Sequence, residues 1–151
     1  MTHLPAGLLA DLRAEVGLLR EDQHRRVFAA RVALGRPGHR GPGTVVSGPV
    51  APWRGAPWPP PAWLDAGTRF DVVDRLVGSP VLARSGGVHA WLLRPGVPSV
   101  HDEDLAWLAA VRRACSAHGL PTLGFWAVTR YGWLDPAAGD SRQWRRLRVR
   151  R

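Results

Sequence analysis

Ser99-Val-His-Asp-Glu-Asp-Leu-Ala-Trp-Leu-Ala-Ala-Val-Arg-Arg-Ala-Cys-Ser-Ala-His-Gly-Leu-Pro-Thr-Leu-Gly-Phe-Trp-Ala-Val-Thr129 carries a helix signal and a strand signal with a stop between them. Ser99 with Asp102, or Asp102 itself, caps a helix that runs to about His118, with Leu105, Leu108, Val111 and Cys115 on its buried face. Gly119 and then Pro121 end that helix. Thr122 to Thr129 is the strongest strand in the chain, apolar enough to be central, and a turn at Tyr131-Gly132 follows it. A helix feeding a buried strand implies an α/β or α+β fold. The expected architecture is a single domain with a mixed central sheet and about three helices.

The elements upstream fit that frame. Residues 5 to 23 place Leu8, Leu9, Leu12, Val16 and Leu19 at helical steps, and Pro5 suits the first turn. Arg26 to Leu34 and the stretch resuming at Thr44 read as a hairpin, joined by a nine-residue tip from Gly35 to Gly43 that carries Arg36, His39 and Arg40. Thr68 three residues before Asp71 makes a capping box for a second helix, with Phe70, Val73 and Leu76 inward. Val81 to Arg84 and Val88 to Leu93, flanking Ser85-Gly86-Gly87, read as a second hairpin; the alternative is a prolonged helix followed by one central strand. Residues 1–140 are expected to form one globular domain that includes a Pro/Trp-rich loop at 49–63. Residues 141–151 are expected to be an Arg-rich C-terminal strand or tail, and as a strand it would turn Arg146, Arg148 and Arg150 to one side.

At 151 residues the chain is long enough to bury a core unaided, about 70% of its unfolded surface. Asn, Ile and Lys are absent, a pattern expected of a very GC-rich coding background, so arginine enrichment by itself says little. Arginine in place of lysine leaves charge unchanged, however. The excess of 21 basic over 12 acidic side chains, formally +9, still points to a polyanionic partner. Asp11, Arg13 and Glu15 interrupt the first twenty residues and argue against a secretory signal, and no apolar run approaches a membrane span. A cytoplasmic protein without a membrane partner is expected. The single cysteine, Cys115, leaves no internal disulfide and no Cys-rich zinc site.

Trp91 to Thr129 resembles the bacterial DNA-repair-associated branch of the JAB/MPN metalloprotease-like family. In that family a strand ends in His-x-His-Pro, a loop leads to Ser-x-x-Asp, and a helix stopping at Gly precedes another strand. Here the matching run is Leu92-Leu93-Arg94-Pro95, then Ser99-Val100-His101-Asp102, then the helix to Gly119. Leu92 and Arg94 stand where the two zinc-binding histidines would be, and no glutamate occupies the first strand as a general base. The resemblance therefore implies the fold without the family's zinc chemistry, because leucine has no lone pair to give a metal.

Two other constellations bear on chemistry. His101, Asp102 and Asp104, joined by His89, offer nitrogen and oxygen ligands for a divalent metal and so a metal-dependent hydrolase as the alternative activity. The same carboxylates in the first turn of a helix also serve simply to cap it and offset its dipole. Cys115 and His118 share a helix, a poor arrangement for a nucleophile and its base. A chain without lysine has no phosphate loop, there is no Gly-x-Ser-x-Gly elbow, and no cofactor is required.

Charge remains the strongest functional signal. Arg142, Arg145, Arg146, Arg148, Arg150 and Arg151, reinforced by Arg36 and Arg40 and by Arg112 with Arg113, can fork phosphate oxygens, and Trp144 offers an aromatic face among them. The expected function is a non-catalytic module binding the backbone of DNA or RNA, without base selectivity, since no sequence-reading motif is present. A solvated tail is the bland competitor. A further alternative is a protein-interaction subunit that docks its Pro/Trp segment, with Trp53, Trp58 and Trp63, or its basic tail on an acidic protein.

Overall fold

A computed structural model describes residues 3–48 and 65–147. The loop at 49–63 with its three tryptophans, and Arg148, Arg150 and Arg151, lie outside the described residues. Among the described residues the element order is α1 (Ala6–Asp22), β1 (Arg31–Gly35), β2 (Val45–Val46), α2 (Ala66–Val77), α3 (Pro80–Ala83), β3 (Val88–Leu93), α4 (Asp102–Ala117), β4 (Thr122–Thr129), β5 (Gly132–Leu134) and β6 (Ser141–Gln143). The strands form one mixed sheet in the order β2-β1-β3-β4-β5-β6. Among the described strands only β3 and β4 are parallel, and α4 is the crossover between them. This is a single-domain α+β fold, with three long helices and one short one among the described residues.

Period-2 alternation divides the core between the two faces of the sheet. Val32 and Leu34 of β1, Val88, Ala90 and Leu92 of β3, and Phe125 of β4 pack with α2, α3 and α4. Ala33, Trp91, Trp126, Val128 and Trp133 point the other way, onto Leu12, Val16 and Leu19 of α1. Among the described residues, α1 is the one helix on this tryptophan-rich face, and its two flanks are left to the loops beside it.

Several expectations are corrected. The second hairpin does not form: Pro80 sits in the first turn of α3, and both sides of β3 are already taken, by β1 and β4, leaving residues 81–84 no partner. Asp65, rather than Thr68, caps α2, its Oδ1 accepting from the Thr68 N–H at 2.8 Å. The α4 cap is His101, in extended conformation, not Ser99 or Asp102. That start sets a phase in which Asp104, Trp107, Leu108, Val111, Ala114 and Cys115 face inward, leaving Leu105 45% exposed rather than in the core. The C-terminal strand covers Ser141–Gln143 and pairs with β5, and the chain bends at Arg145 and Arg146, so the expected alternation beginning at Arg146 is not that of a strand there. The hairpin of β1 and β2 and the central position of β4 agree with the sequence reading.

Candidate nucleic-acid interface

At about 100° per residue, Asp11, Glu15 and Asp22 fall on one stripe of α1, and Arg13 and Arg20 lie roughly half a turn away. The buried stripe of Leu12, Val16 and Leu19 runs between them. With that stripe seated on the sheet, the acidic stripe flanks the β1–β2 loop and the basic one flanks the C-terminal segment.

The loop is docked on the acidic flank. Arg36 Nε donates to Asp11 Oδ2 at 3.1 Å, His39 Nε2 lies 3.1 Å from Asp11 Oδ1, and Arg40 pairs with Asp22. The Gly38 N–H donates to Glu15 Oε2 at 2.6 Å. Gly38 has φ +75°, and a Cβ there would stand 2.5 Å from the Asp11 carbonyl oxygen, so only glycine allows this approach. Arg36 and Arg40, expected to reach phosphate with the tail, are each paired with a carboxylate of α1 and stand on the flank opposite the tail.

The basic flank is built differently. Arg20 donates to the carbonyl of Arg130 and, at 3.0 Å, to that of Trp144, while the Trp144 N–H donates to the Tyr131 carbonyl at 2.8 Å. The Arg13 guanidinium lies 5.9 Å from the Trp144 ring centroid. Trp144 is partly buried against the α1-side core with Leu147, so it anchors the segment rather than displaying a free stacking face. Arg142, opposite Trp133 in the β5–β6 ladder, and Arg145 and Arg146 at the bend are all exposed. Among the described residues no carboxylate stands within ion-pair distance of these three. Burial, and then the neighbouring Arg130 charge, depress the pKa of Arg20. Arg112 and Arg113 belong to α4 on the other side of the sheet, where Arg113 covers the Phe70 ring at 4.8 Å, and so do not extend this surface.

The residues offered for a metal are not gathered. His89, near the start of β3, stacks on Trp126 with centroids 5.3 Å apart. About 13 Å of strand separates it from Leu93, beyond which His101 and Asp104 lie. Asp104 is fully buried and takes Arg94 in a two-toothed pair, Nε to Oδ1 at 2.6 Å and Nη2 to Oδ2 at 2.8 Å, and its Oδ2 also accepts from the His101 N–H at 3.0 Å. Arg94 donates further to the carbonyls of Pro95, Val97 and Ser99. Asp102 is exposed in the first turn and Glu103 pairs with Arg69. Among the described residues, no three His, Cys, Asp or Glu side chains are placed to share a metal. The acidic cluster caps α4 and holds Arg94, which corrects its reading as a ligand set. His118 bonds Asp74 at 2.7 Å, while Cys115 is fully buried and burial pushes its thiol up.

Comparison with protein-family models, with curated proteins and with solved structures returns no match for this chain. Among the described residues no helix is long and apolar enough to cross a membrane. The sequence reading missed Arg13, Arg20 and Arg130. The phase of α1 carried the signal for the first two, since its acidic and basic residues segregate to opposite sides.

Proposed function

We propose that this protein binds the phosphate backbone of DNA or RNA along the basic flank of α1 and the segment beginning at β6. The observation that carries this reading is the grouping of Arg142, Arg145 and Arg146, exposed and without carboxylate partners among the described residues, beside Arg13, Arg20 and Arg130. Folding leaves such a surface with an uncompensated positive field, which attracts polyanions and releases their counterions on contact. Arginine forks also suit phosphate oxygens geometrically. Among the described residues of this surface none forms a helix or ribbon that projects toward base edges, which favours recognition of backbone rather than sequence. The rest of the fold holds α1 and the C-terminal segment in register.

A salt titration by fluorescence anisotropy on a mixed-sequence duplex tests it. Replacing Arg142, Arg145 and Arg146 together by Gln should make the log-log salt slope shallower by up to about 2.7 units, about 0.9 for each phosphate no longer neutralised. An unchanged slope in a variant that melts like the parent would overturn the reading.

A further inference from the structure

On the opposite, acidic flank of α1, the described residues line a partly open cavity of about 280 Å³ between the helix, the β1–β2 loop and the sheet. Glu15 lines it and is only 7% exposed. Its Oε1 accepts from Trp91 Nε1 at 3.1 Å and its Oε2 from the Gly38 N–H at 2.6 Å. A carboxylate offers about four lone-pair sites, so each oxygen retains one after these bonds. Phe28 and Leu93, both half-buried, supply apolar wall, and the exposed Arg31 and Arg40 stand at the rim. Arg40 is already paired with Asp22, whereas Arg31 has no ion-pair partner among the described residues.

We propose that this cavity takes the base of a guanine nucleotide, with two parallel N–H donors on Glu15, the ring against Phe28 and Leu93, and the phosphate at Arg31. Size and donor pattern both support this choice. Ligand pockets for whole drug-sized molecules run from about 300 to 1,000 Å³, so this cavity suits a single ring system and excludes a dinucleotide cofactor. A carboxylate held by two fixed donors is acceptor-only and calls for a ligand edge with adjacent N–H groups. Guanine presents N1–H beside N2–H. Adenine and cytosine place a ring-nitrogen lone pair next to their amino group, and uracil flanks its one N–H with carbonyl oxygens, so each would set an acceptor against a Glu15 oxygen. The cavity and the arginine surface lie on opposite sides of α1, and neither reading depends on the other.

Calorimetric titration of the full chain with GMP, IMP, AMP, CMP and UMP decides the matter. GMP should bind on the order of tenfold more tightly than AMP, CMP or UMP, with IMP, which keeps N1–H and lacks the 2-amino group, in between. Glu15→Gln should remove the preference, since an amide offers one donor where an acceptor is needed. Arg31→Ala should weaken GMP and leave guanosine unchanged. Equal affinity across the series, no heat at millimolar nucleotide, or a Glu15→Gln variant that retains the GMP preference would overturn the proposal. Should Glu15→Gln fail to fold, the base series on the parent chain and the Arg31→Ala comparison suffice to uphold or overturn it. Gln at positions 142, 145 and 146 should leave the GMP preference intact, and its loss there would mean that the nucleotide sits on the arginine surface instead.

Discussion

The β1–β2 loop and the C-terminal segment are both short, arginine-bearing and laid against α1, yet their arginines end in opposite states. Arg36 and Arg40 meet Asp11 and Asp22 and are neutralised. Arg142, Arg145 and Arg146 lie on the side of Arg13 and Arg20 and, among the described residues, meet no carboxylate. Helix phase makes the difference: one amphipathic stripe is bordered by acids on one side and bases on the other. Arginine density along a sequence therefore says less about a binding surface than the charge of the element each segment docks on. Arg94 is the extreme of the neutralised kind, fully buried with its carboxylate and three carbonyls around it.

The steepest contrast is between that buried pair and the exposed ones. Removing one partner of a buried ion pair strands the other charge in a low dielectric, so Asp104→Ala should lower unfolding free energy by about 3–5 kcal/mol in a urea melt. Asp22→Ala, which unpairs an exposed arginine, should cost about 1 kcal/mol or less. Comparable losses for the two would erase the distinction between buried and surface arginines. A smaller effect, on binding rather than stability, probes the two flanks directly. Asp11→Asn with Asp22→Asn frees Arg36 and Arg40, and on a duplex the salt slope should steepen by up to about 1.8 units if both then reach phosphate. The pair Asp71→Asn and Asp102→Asn alters net charge equally on the other layer of the fold. If it steepens the slope as much, only total charge matters and the two flanks of α1 are not functionally distinct.

The parts of this fold that were legible in the sequence are those written by local pattern. α1, the hairpin of β1 and β2, and the run from α4 into β4 follow from apolar spacing and from stops such as Gly119 and Pro121. Residues 81–84 misled because a short apolar stretch beside Gly-Gly suits a hairpin as well as a helical turn. Only the occupation of both edges of β3 by β1 and β4, a long-range fact, decides between them. Asp104 misled for a related reason: three acids opening a helix look like ligands or caps, and the deciding partner, Arg94, lies ten residues away across a loop. At the candidate surface, the exposed tail arginines could be named from composition. Their separation from Arg36 and Arg40 needed the phase of a helix more than a hundred residues upstream of the tail.

Glu15 gives the finest test of how the acidic flank is held, because its partners are an indole and a backbone N–H rather than an arginine fork. Burial raises its pKa above the ordinary 4.5, against the opposing pull of the Gly38 and Trp91 hydrogen bonds and of Arg40, with Asp22 adding to the rise. A carboxyl whose folded pKa is raised binds its proton more tightly in the native state than in the unfolded chain. Its contribution to stability is therefore fully present below about pH 4.5 and is lost as pH climbs through the folded pKa. Glu15→Gln removes that titration while other groups titrate as before, so the informative quantity is the difference between variant and parent. Measured by urea melts at steps between about pH 4 and 7.5, the variant should gain on the parent as pH rises. A flat difference would mean that Glu15 is as well solvated in the fold as in the open chain, and that the loop over it stands away from α1. A difference running the other way would mean that the two N–H donors and Arg40 outweigh burial, and the acidic flank would then be held by charge at Glu15 as it is at Asp11 and Asp22.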